Sequence, residues 1–590
     1  MDLVSVSGMN MLNSSALGLL SGGGGLPTLF DWNPELAEAL PATSTFTRAS
    51  VKQVLTTTDG TTFWYQEAKS GEVPLDGLRR VENALVNDFF KDYAPVSGAS
   101  INGTGDEITF PGVTAIELVT STTFVTVPIG TAVGWRVKAS VSSGTATVKM
   151  EIFESASASQ DIVLTTTPQI FWISAAATVA GNIGTRLTNQ GAGGPYATTI
   201  IVEENCPCLV QDASAPPEDF VQATATTNAD VDGVQYFNTT NANSVDGNGV
   251  VTEATGTTIT GGGYLPEPAA TNQLIDVDIS NSGIWTHGNV TVSDQGINSL
   301  GLREYEIDVG TGTTFHRIFD ASQSGGAGSS YVIAKEGTER FLIVRRGSAS
   351  DDYACFDLQL GTITEEGAGI DDAIITDFTD GYYKCEVNTS NAGNEFYVYV
   401  SDVGTPGSAD RAWTGANETV LVCHVQWENT VFSTSPIITS GSTVTRVADV
   451  LTFSSISSLP YSIFCDVTYP DVIFGESAMF HMGGVTRLVV YPDGGNFQRH
   501  LLGGDVSIFI TGSGTEGTRE KLAASLETND CIYSITSETT QFDTTAATIG
   551  INDVDLGNSS SNVNQFRGVM HNIIVYSVAQ TQAELEALVA

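Results

Sequence analysis

Val133-Gly134-Trp135-Arg136-Val137-Lys138-Ala139-Ser140-Val141, the turn text Ser142-Ser143-Gly144, and then Ala146-Thr147-Val148-Lys149-Met150-Glu151-Ile152-Phe153 form the passage whose reading decides the fold. Apolar and polar residues alternate in both runs, so each run places its apolar side chains on one face of an extended strand. Strand, short polar turn, strand reads as a hairpin whose apolar face needs a second sheet to cover it. Working outward, Ala115-Ile116-Glu117-Leu118-Val119, Gln169-Ile170-Phe171-Trp172-Ile173 and Thr198-Thr199-Ile200-Ile201-Val202 supply further short strands. Several such strands within one domain length predict a β-sandwich over 96–212.

The same texture continues along the chain. Its 590 residues are too many for one core. Gly, Ser, Thr, Asn and Val crowd it, and charged residues make up only 15%, a composition of short strands and tight turns. Arg340-Phe341-Leu342-Ile343-Val344-Arg345, Phe396-Tyr397-Val398-Tyr399-Val400 and Val420-Leu421-Val422-Cys423-His424-Val425-Gln426-Trp427 mark a second strand-rich block over 263–453. A third, 454–590, opens on Tyr461-Ser462-Ile463-Phe464-Cys465-Asp466-Val467. It ends in a short helix with Thr581 as N-cap and Glu584 closing a capping box. Residues 213–262 are poor in large apolar residues and rich in Thr, Asn, Asp and Gly, and read as a linker with hairpins. Residues 1–95 begin with a Gly/Ser-rich arm, Gly22 to Gly25 in a row, and then Asn33-Pro34-Glu35-Leu36, a helix start capped by Asn33. The expected class is all-β: serial jelly-roll or β-sandwich domains behind a short N-terminal anchoring region.

Composition also bounds the partners. Lys plus Arg number 24 against 67 Asp plus Glu, a formal net charge of −43. Phosphate neutralisation by basic side chains is what nucleic-acid binding draws on, so no nucleic-acid partner is expected. The first residues carry no basic n-region and no run of about 18 apolar residues occurs, so neither a signal peptide nor membrane insertion is expected. The cysteines are Cys206, Cys208, Cys355, Cys385, Cys423, Cys465 and Cys531, few and odd in number. They read as free thilos of a protein folded in a reducing cytosol, not as a disulfide framework, and Cys206-Pro207-Cys208 lacks the second ligand pair of a zinc site.

Particular residues resemble those of tailed-bacteriophage virion proteins. Gly263-Tyr264-Leu265-Pro266-Glu267-Pro268-Ala269-Ala270-Thr271-Asn272-Gln273-Leu274 resembles a "GxLxEpArTNLL" segment, with Ala270 in place of Arg and Gln273 in place of the first Leu. Asn281-Ser282-Gly283-Ile284-Trp285-Thr286, Asp380-Gly381-Tyr382-Tyr383-Lys384-Cys385 and Val444-Thr445-Arg446-Val447-Ala448-Asp449 resemble three further motifs of that family, in the same order. Thr45-Phe46-Thr47-Arg48-Ala49-Ser50 is similar to its "FtRAS" element. The resemblance implies a carbohydrate-binding-module-like jelly roll over 263–453. From Phe566-Arg567-Gly568 to the terminal helix, the last block resembles a concanavalin-like or laminin-G-like sandwich.

A search for chemistry returns no catalytic constellation. The Glu-x-Asp-x-x-Glu strand of glucanases sharing the concanavalin-like fold is approached only by Glu306-Ile307-Asp308-Val309-Gly310-Thr311, which ends in Thr. The six histidines form no metal-site pattern, and nucleophile-elbow and phosphate-loop spacings are missing. Sugars dock on exposed aromatic faces beside planar polar groups, which nominates Trp285, Trp413, Tyr491 and His500 as glycan contacts, each against the plainer alternative of core packing. Trp427 lies in a strand and reads as core; Trp413 lies in a Gly/Ala/Asn loop and reads as the more open. Asp276 with Asp278, and Asp553 with Asp555, are the acidic pairs that could hold Ca²⁺ at loop tips, although neither has EF-hand spacing. Calcium is the one cofactor left open.

The expected function is that of a non-enzymatic structural component of a phage virion, a tail fibre or appendage or a capsid-surface fibre or decoration. Residues 1–95 would dock on other virion proteins and the sandwiches would face host glycans. Symmetric display favours self-association, with a trimer one solution. The alternative is a secreted bacterial glycan-binding or glycan-cleaving protein. Folding in the host cytoplasm and display on the virion surface complete the expectation.

Overall fold

The computed structural model describes residues 28–36, 41, 44–48, 52–57, 63–68, 72–73, 75–76, 78–83, 90, 93–112, 118–121, 126–127, 132–179, 181–189, 197–209, 234–237, 243–254, 262–298, 300, 302–320, 326–378, 380–391, 393–430, 433–453, 459–469, 477–482, 486–493, 496–503, 506–512, 517–528, 530–536, 538–544, 554–557, 566 and 568–590. Antiparallel sheets packed face to face account for nearly all of its regular structure, and Gln582–Val589 is the α-helix among the described residues. The all-β sandwich class is therefore as the alternation predicts. No helix among the described residues is long and apolar enough to cross a membrane.

The deciding passage folds as strands but not as a hairpin. Ala132–Val141 pairs with Gln169–Ala176 and Thr198–Leu209, whereas Ala146–Glu154 pairs with Ala158–Leu164 and Gly181–Thr188. The two strands thus lie in opposite sheets, and Ser142-Ser143-Gly144 is a corner between them. Each strand carries one apolar row, and the two rows share a core: Val133, Trp135 and Val137 are buried with Val148, Met150 and Ile152. Placing the strands across the core lets each row cover the other; a hairpin would have set both rows on one sheet. Gly144 takes a φ of +68° at this corner, a conformation glycine adopts without a Cβ penalty.

The jelly roll follows the same rule. One sheet runs Thr286–Gly288, Arg317–Asp320, Phe396–Ser401, Phe341–Arg346, Tyr353–Asp357, Thr362–Glu366; the other runs Val290–Ile297, Arg303–Val309, Thr419–Glu428, Gly328–Glu336, Tyr382–Thr389, Asp372–Asp377. Trp285, Phe396 and Trp427 form the aromatic centre of its core, with ring centroids 6.1 Å and 6.5 Å apart.

The connectivity differs from beads in series. Thr28–Trp32 pairs with Val569–Tyr576, and Ser44–Thr47 pairs with Val450–Phe453, so described strands of the 1–95 region are built into the sheets of the C-terminal sandwich. The reading of 1–95 as a separate arm is corrected on this point: Trp32 is 1% exposed, in the same core as Tyr461, Phe480 and Met570. The chain leaves this sandwich at Leu75–Asp76 and re-enters at Gly263–Tyr264, and those two ends pair with each other. It leaves again after Tyr264 and returns at Val450–Phe453, with Ala270–Asn272 paired to Val444–Arg446 across the second neck. Both other sandwiches are excursions from the C-terminal one, each entered and left at a paired neck. Gly263 is required there, because a Cβ would lie 2.4 Å from the Met570 carbonyl oxygen.

Residues 213–262 are likewise drawn into the structure where they are described. Val234–Phe237 is an edge strand against Arg79–Asn83, and Ser244–Val245 with Val251–Thr252 forms a small hairpin on the first sandwich. The Asn33 helix start is a 3-10 turn, Pro34–Leu36, with Leu36 N–H donating to the Asn33 side chain at 3.2 Å. At the other end Thr581 and Glu584 complete the expected capping box.

Candidate functional site

Four of the nominated glycan contacts fare differently. Trp285 is 1% exposed, its indole N–H donating to the Asp276 carbonyl at 3.0 Å. Trp413 is 7% exposed, donating to the Val400 carbonyl at 3.1 Å and packed edge-on to His316. Both are core residues with no face left for a sugar, which corrects their nomination. The loop around Trp413 looked open because Gly, Ala and Asn give no period, but the indole fills the end of the jelly-roll core. Tyr491 and His500 stand in the paired strands Thr486–Asp493 and Asn496–Gly503, and their side chains lie outside the described residues.

The acidic pairs are occupied by local bonding. Asp276 accepts from Asp278 N–H at 2.9 Å and from the Asn281 side chain at 3.0 Å, and Asp278 accepts from Ser280 N–H at 3.0 Å. These are Asx-type turns. Asp555 lies 3.8 Å from His481, and Asp553 is outside the described residues. Among the described residues no group of three or more His, Cys, Asp or Glu converges as a metal site.

The motif residues meet somewhere else: in a buried ionic clamp at the neck of the jelly roll. Arg48 and Lys52 reach Asp449 at 3.0 Å each, and Lys52 and Arg446 reach Glu267 at 3.0 Å each. Lys52 also donates to the Leu265 carbonyl at 2.6 Å, and Ser435 donates to Glu267 from both N–H and hydroxyl at 2.8 Å. Glu267 and Asp449 flank the excursion on either side and bond each other through their backbones, Asp449 N–H to Glu267 O at 2.9 Å. Asn272 accepts from Trp427 N–H at 3.1 Å and donates to the Ile437 carbonyl at 2.9 Å. Burial alone would push the Glu267 carboxyl up; Arg446, Lys52 and Ser435 outweigh it and hold it at about 2. The clamp is architecture. Lys52, which no motif singled out, is its central cation.

A surface with recognition chemistry lies on the outer face of the jelly-roll sheet containing Phe396–Ser401. Strand period two sends Phe396, Val398 and Val400 into the core and Tyr397 and Tyr399 to the opposite face, where they are buried too, 5% and 1% exposed, in a second cluster with Ile343, Tyr353, Cys355 and Ala409. The neighbouring strands add Arg317 and Phe319 on one side and Ile343 and Arg345 on the other. The rings form a row: Phe319 stacks on Tyr397 at 5.0 Å and 21°, and Tyr397 on Tyr399 at 5.5 Å and 24°. The Arg317 guanidinium sits 4.9 Å from Phe319, 5.0 Å from Tyr397, 5.2 Å from Phe315 and 5.6 Å from Tyr399. Arg345 covers Tyr397 at 4.1 Å. Such cation–π contacts fix the guanidinium planes on the sheet.

Asp410 closes the row. Its Oδ1 accepts from the Tyr399 hydroxyl at 2.8 Å, from Arg345 at 2.9 Å and from Arg317 at 3.4 Å. Glu395 lies 3.6 Å from Arg345. Burial pushes the Tyr399 phenol up, against the pull of Arg345, so it stays a donor at neutral pH. The side chains of Arg317, Asp410 and Glu395 remain 23%, 34% and 25% exposed, whereas Arg345 is 4% exposed. The two tyrosines are thus sealed under the arginines, and what stays accessible is the edge of the row: the half-buried rings of Phe315 and Phe319 with Arg317, Asp410 and Glu395 beside them. It offers no nucleophile: the Cys355 thiol on the same face is pushed by burial up to about 12. The sequence carries the signal for this edge in Phe315-His316-Arg317-Ile318-Phe319, where the alternation places Phe315, Arg317 and Phe319 on one face.

No family model matches the chain, and no curated protein matches it. Solved structures similar to parts of it include domain 4 of AbnA, a GH43 extracellular arabinanase from Geobacillus stearothermophilus, in complex with arabinotriose: 16% identity, 28% of this chain and 84% of that one, TM-score 0.21. A putative carbohydrate binding protein from Bacteroides ovatus is 11% identical over 51% of this chain and 79% of that one, TM-score 0.18. The LG1-3 region of the laminin alpha2 chain is 9% identical over 78% of this chain and 96% of that one, TM-score 0.18. At these scores the likenesses assign neither family nor activity, and the all-β sandwich architecture stands on the sheets themselves.

Proposed function

We propose that this protein is a non-enzymatic, glycan-binding structural component of a tailed-phage particle, and that the half-buried edge of the jelly-roll face formed by Phe315, Arg317 and Phe319 contacts a neutral oligosaccharide. The observation that carries the reading is the Arg317 guanidinium stacked on the half-buried rings of Phe315 and Phe319, with Asp410 and Glu395 at the rim. Sugars present apolar C–H faces and edges of alternating hydroxyl donors and acceptors; Phe315 and Phe319 offer ring edges for the first and Arg317 beside the carboxylates serves the second. Neutral glycans fit better than acidic ones, because the two arginines are matched by Asp410 and Glu395 and the whole chain carries −43. The non-enzymatic reading is supported by the pairing of both carboxylates with guanidinium groups.

The phage assignment is supported by the residues of the resemblance. Arg48, Glu267, Asn272, Arg446 and Asp449 come from three separate motifs and converge at one neck. A shared architecture accounts for that convergence. Docking on other virion proteins and self-association, with a trimer as one arrangement, belong to the same proposal.

The test is an array of neutral and acidic glycans probed with the full chain, followed by titration calorimetry with Arg317→Ala. Binding to a neutral glycan is expected, at least tenfold weaker in the variant, the size of effect a central arginine gives. A folded chain that binds no glycan, or one that releases sugar from it, overturns the reading. Peptide mapping of purified particles tests the virion assignment separately.

A further inference from the structure

Cys206 and Cys208 are two apart in the strand Thr198–Leu209, so their side chains leave the same face of the sheet. That face is turned away from the main core of the first sandwich. The two thiols are fully buried in a separate cluster with Ile170, Trp172 and Val251, and Val245 packs against it. Val245 and Val251 belong to the hairpin Ser244–Val245 with Val251–Thr252, which is tied down by Trp172 N–H donating to the Gly249 carbonyl at 3.0 Å. Under this cover the two Sγ atoms lie 2.7 Å apart. Non-bonded heavy atoms pack at about 3.5–4.0 Å, and bonded sulfurs sit at about 2.0 Å. The pair is thus held well inside ordinary contact distance.

We infer that Cys206 and Cys208 form an intrastrand disulfide when the chain meets an oxidising environment. The step is thiol–disulfide exchange with a small-molecule disulfide such as oxidised glutathione. One cysteine thiolate attacks the reagent, releasing one equivalent of its thiol; the second cysteine thiolate then displaces the other equivalent, so the Sγ–Sγ bond forms as the reagent's bond breaks. Two electrons pass from the cysteines to the reagent, and the two cysteine protons end on its thiols. Because both thiols are sealed under the hairpin, the reagent reaches them when the hairpin lifts, and oxidation follows that opening. Pro207 faces the other way and leaves the pair unobstructed. The bridge closes only a three-residue loop, so its consequence is local: it fixes the patch on which the hairpin sits.

The experiment uses the full chain, equilibrated either with excess oxidised glutathione or with a phosphine reductant, then unfolded and alkylated with iodoacetamide. Each arm is run on native protein and on protein refolded in the same redox buffer. Seven alkylated cysteines are expected after reduction and five after oxidation, with peptide mapping placing the missing two at Cys206 and Cys208. Cys208→Ser should restore alkylation at Cys206, and Val251→Asp, which loosens the cover, should speed oxidation of the native chain. Seven alkylated cysteines under both conditions, a retained glutathione adduct at either position, or a bridge mapped to other cysteines would overturn the inference.

Discussion

Glu267→Gln at the neck of the jelly roll isolates the energetics of the clamp. The folded chain holds this carboxyl at about 2 against an ordinary 4.5. That gap, at about 1.36 kcal/mol per pH unit, corresponds to roughly 3 kcal/mol of preference for the charged form in the folded clamp. The variant keeps the shape and removes the charge, leaving Arg48 and Lys52 with Asp449 and taking from Arg446 the carboxylate it pairs with. Loss of one partner of a buried pair costs about 3–5 kcal/mol, in line with that figure. A depressed carboxylate stabilises fully above its unfolded value and loses its contribution as the pH falls through the folded one. The gap between wild type and variant should therefore be largest above about pH 4.5 and close as the pH approaches 2. A 590-residue chain of several cores does not unfold in one step, so the readout is local: amide hydrogen exchange at Glu267, Asp449 and the neck strands Ala270–Asn272 and Val444–Arg446. At pH 7 the variant's opening constant should rise roughly a hundredfold. Unchanged protection at pH 7, or a difference that persists undiminished near pH 2, would refute the reasoning.

Further outcomes follow from the same geometry. Trp413→Ala should destabilise the jelly roll by roughly 3–5 kcal/mol, read by calorimetry, while glycan affinity per folded molecule stays unchanged, because Trp413 is core. Gly263→Ala should loosen the first neck, since the Met570 backbone cannot yield to a Cβ at 2.4 Å; exchange at Tyr264 and Leu75 would report it, and wild-type protection there would contradict it. Thr581→Ala should cost about 1 kcal/mol in the terminal helix by loss of the capping box, with Ser as a rescuing substitution.

Strand existence was legible where apolar residues alternate, as in Ala146–Glu154, and where they run together over a short span, as in Phe341–Arg346. Strand partners were not. Adjacent strands in sequence pair only if their apolar rows can share one face, and at Ser142-Ser143-Gly144 mutual covering across the core wins over the hairpin. The N-terminal strands misled for a related reason. Thr28–Trp32 and Ser44–Thr47 are too short to announce a sandwich alone, and their partners lie hundreds of residues away. The motif residues were visible as text, yet their role was not, because Arg48 and Asp449 become neighbours only once both necks are formed. On the second face of the jelly-roll sheet nothing local told that Tyr397 and Tyr399 would be covered while Phe315 and Phe319 stay half-exposed.

By itself the sequence determined the all-β class, the sandwich material and the capping of the last helix, since each depends on residues a few positions apart. Tertiary structure alone decided that two sandwiches spring from a third, that scattered motif charges form one clamp, that Trp285 and Trp413 are sealed, and that Tyr397 and Tyr399 are covered while the Arg317 edge beside them stays accessible. The physical reason is common to all four: burial is a property of what packs on a side chain, and here the packing partner comes from a distant part of the chain.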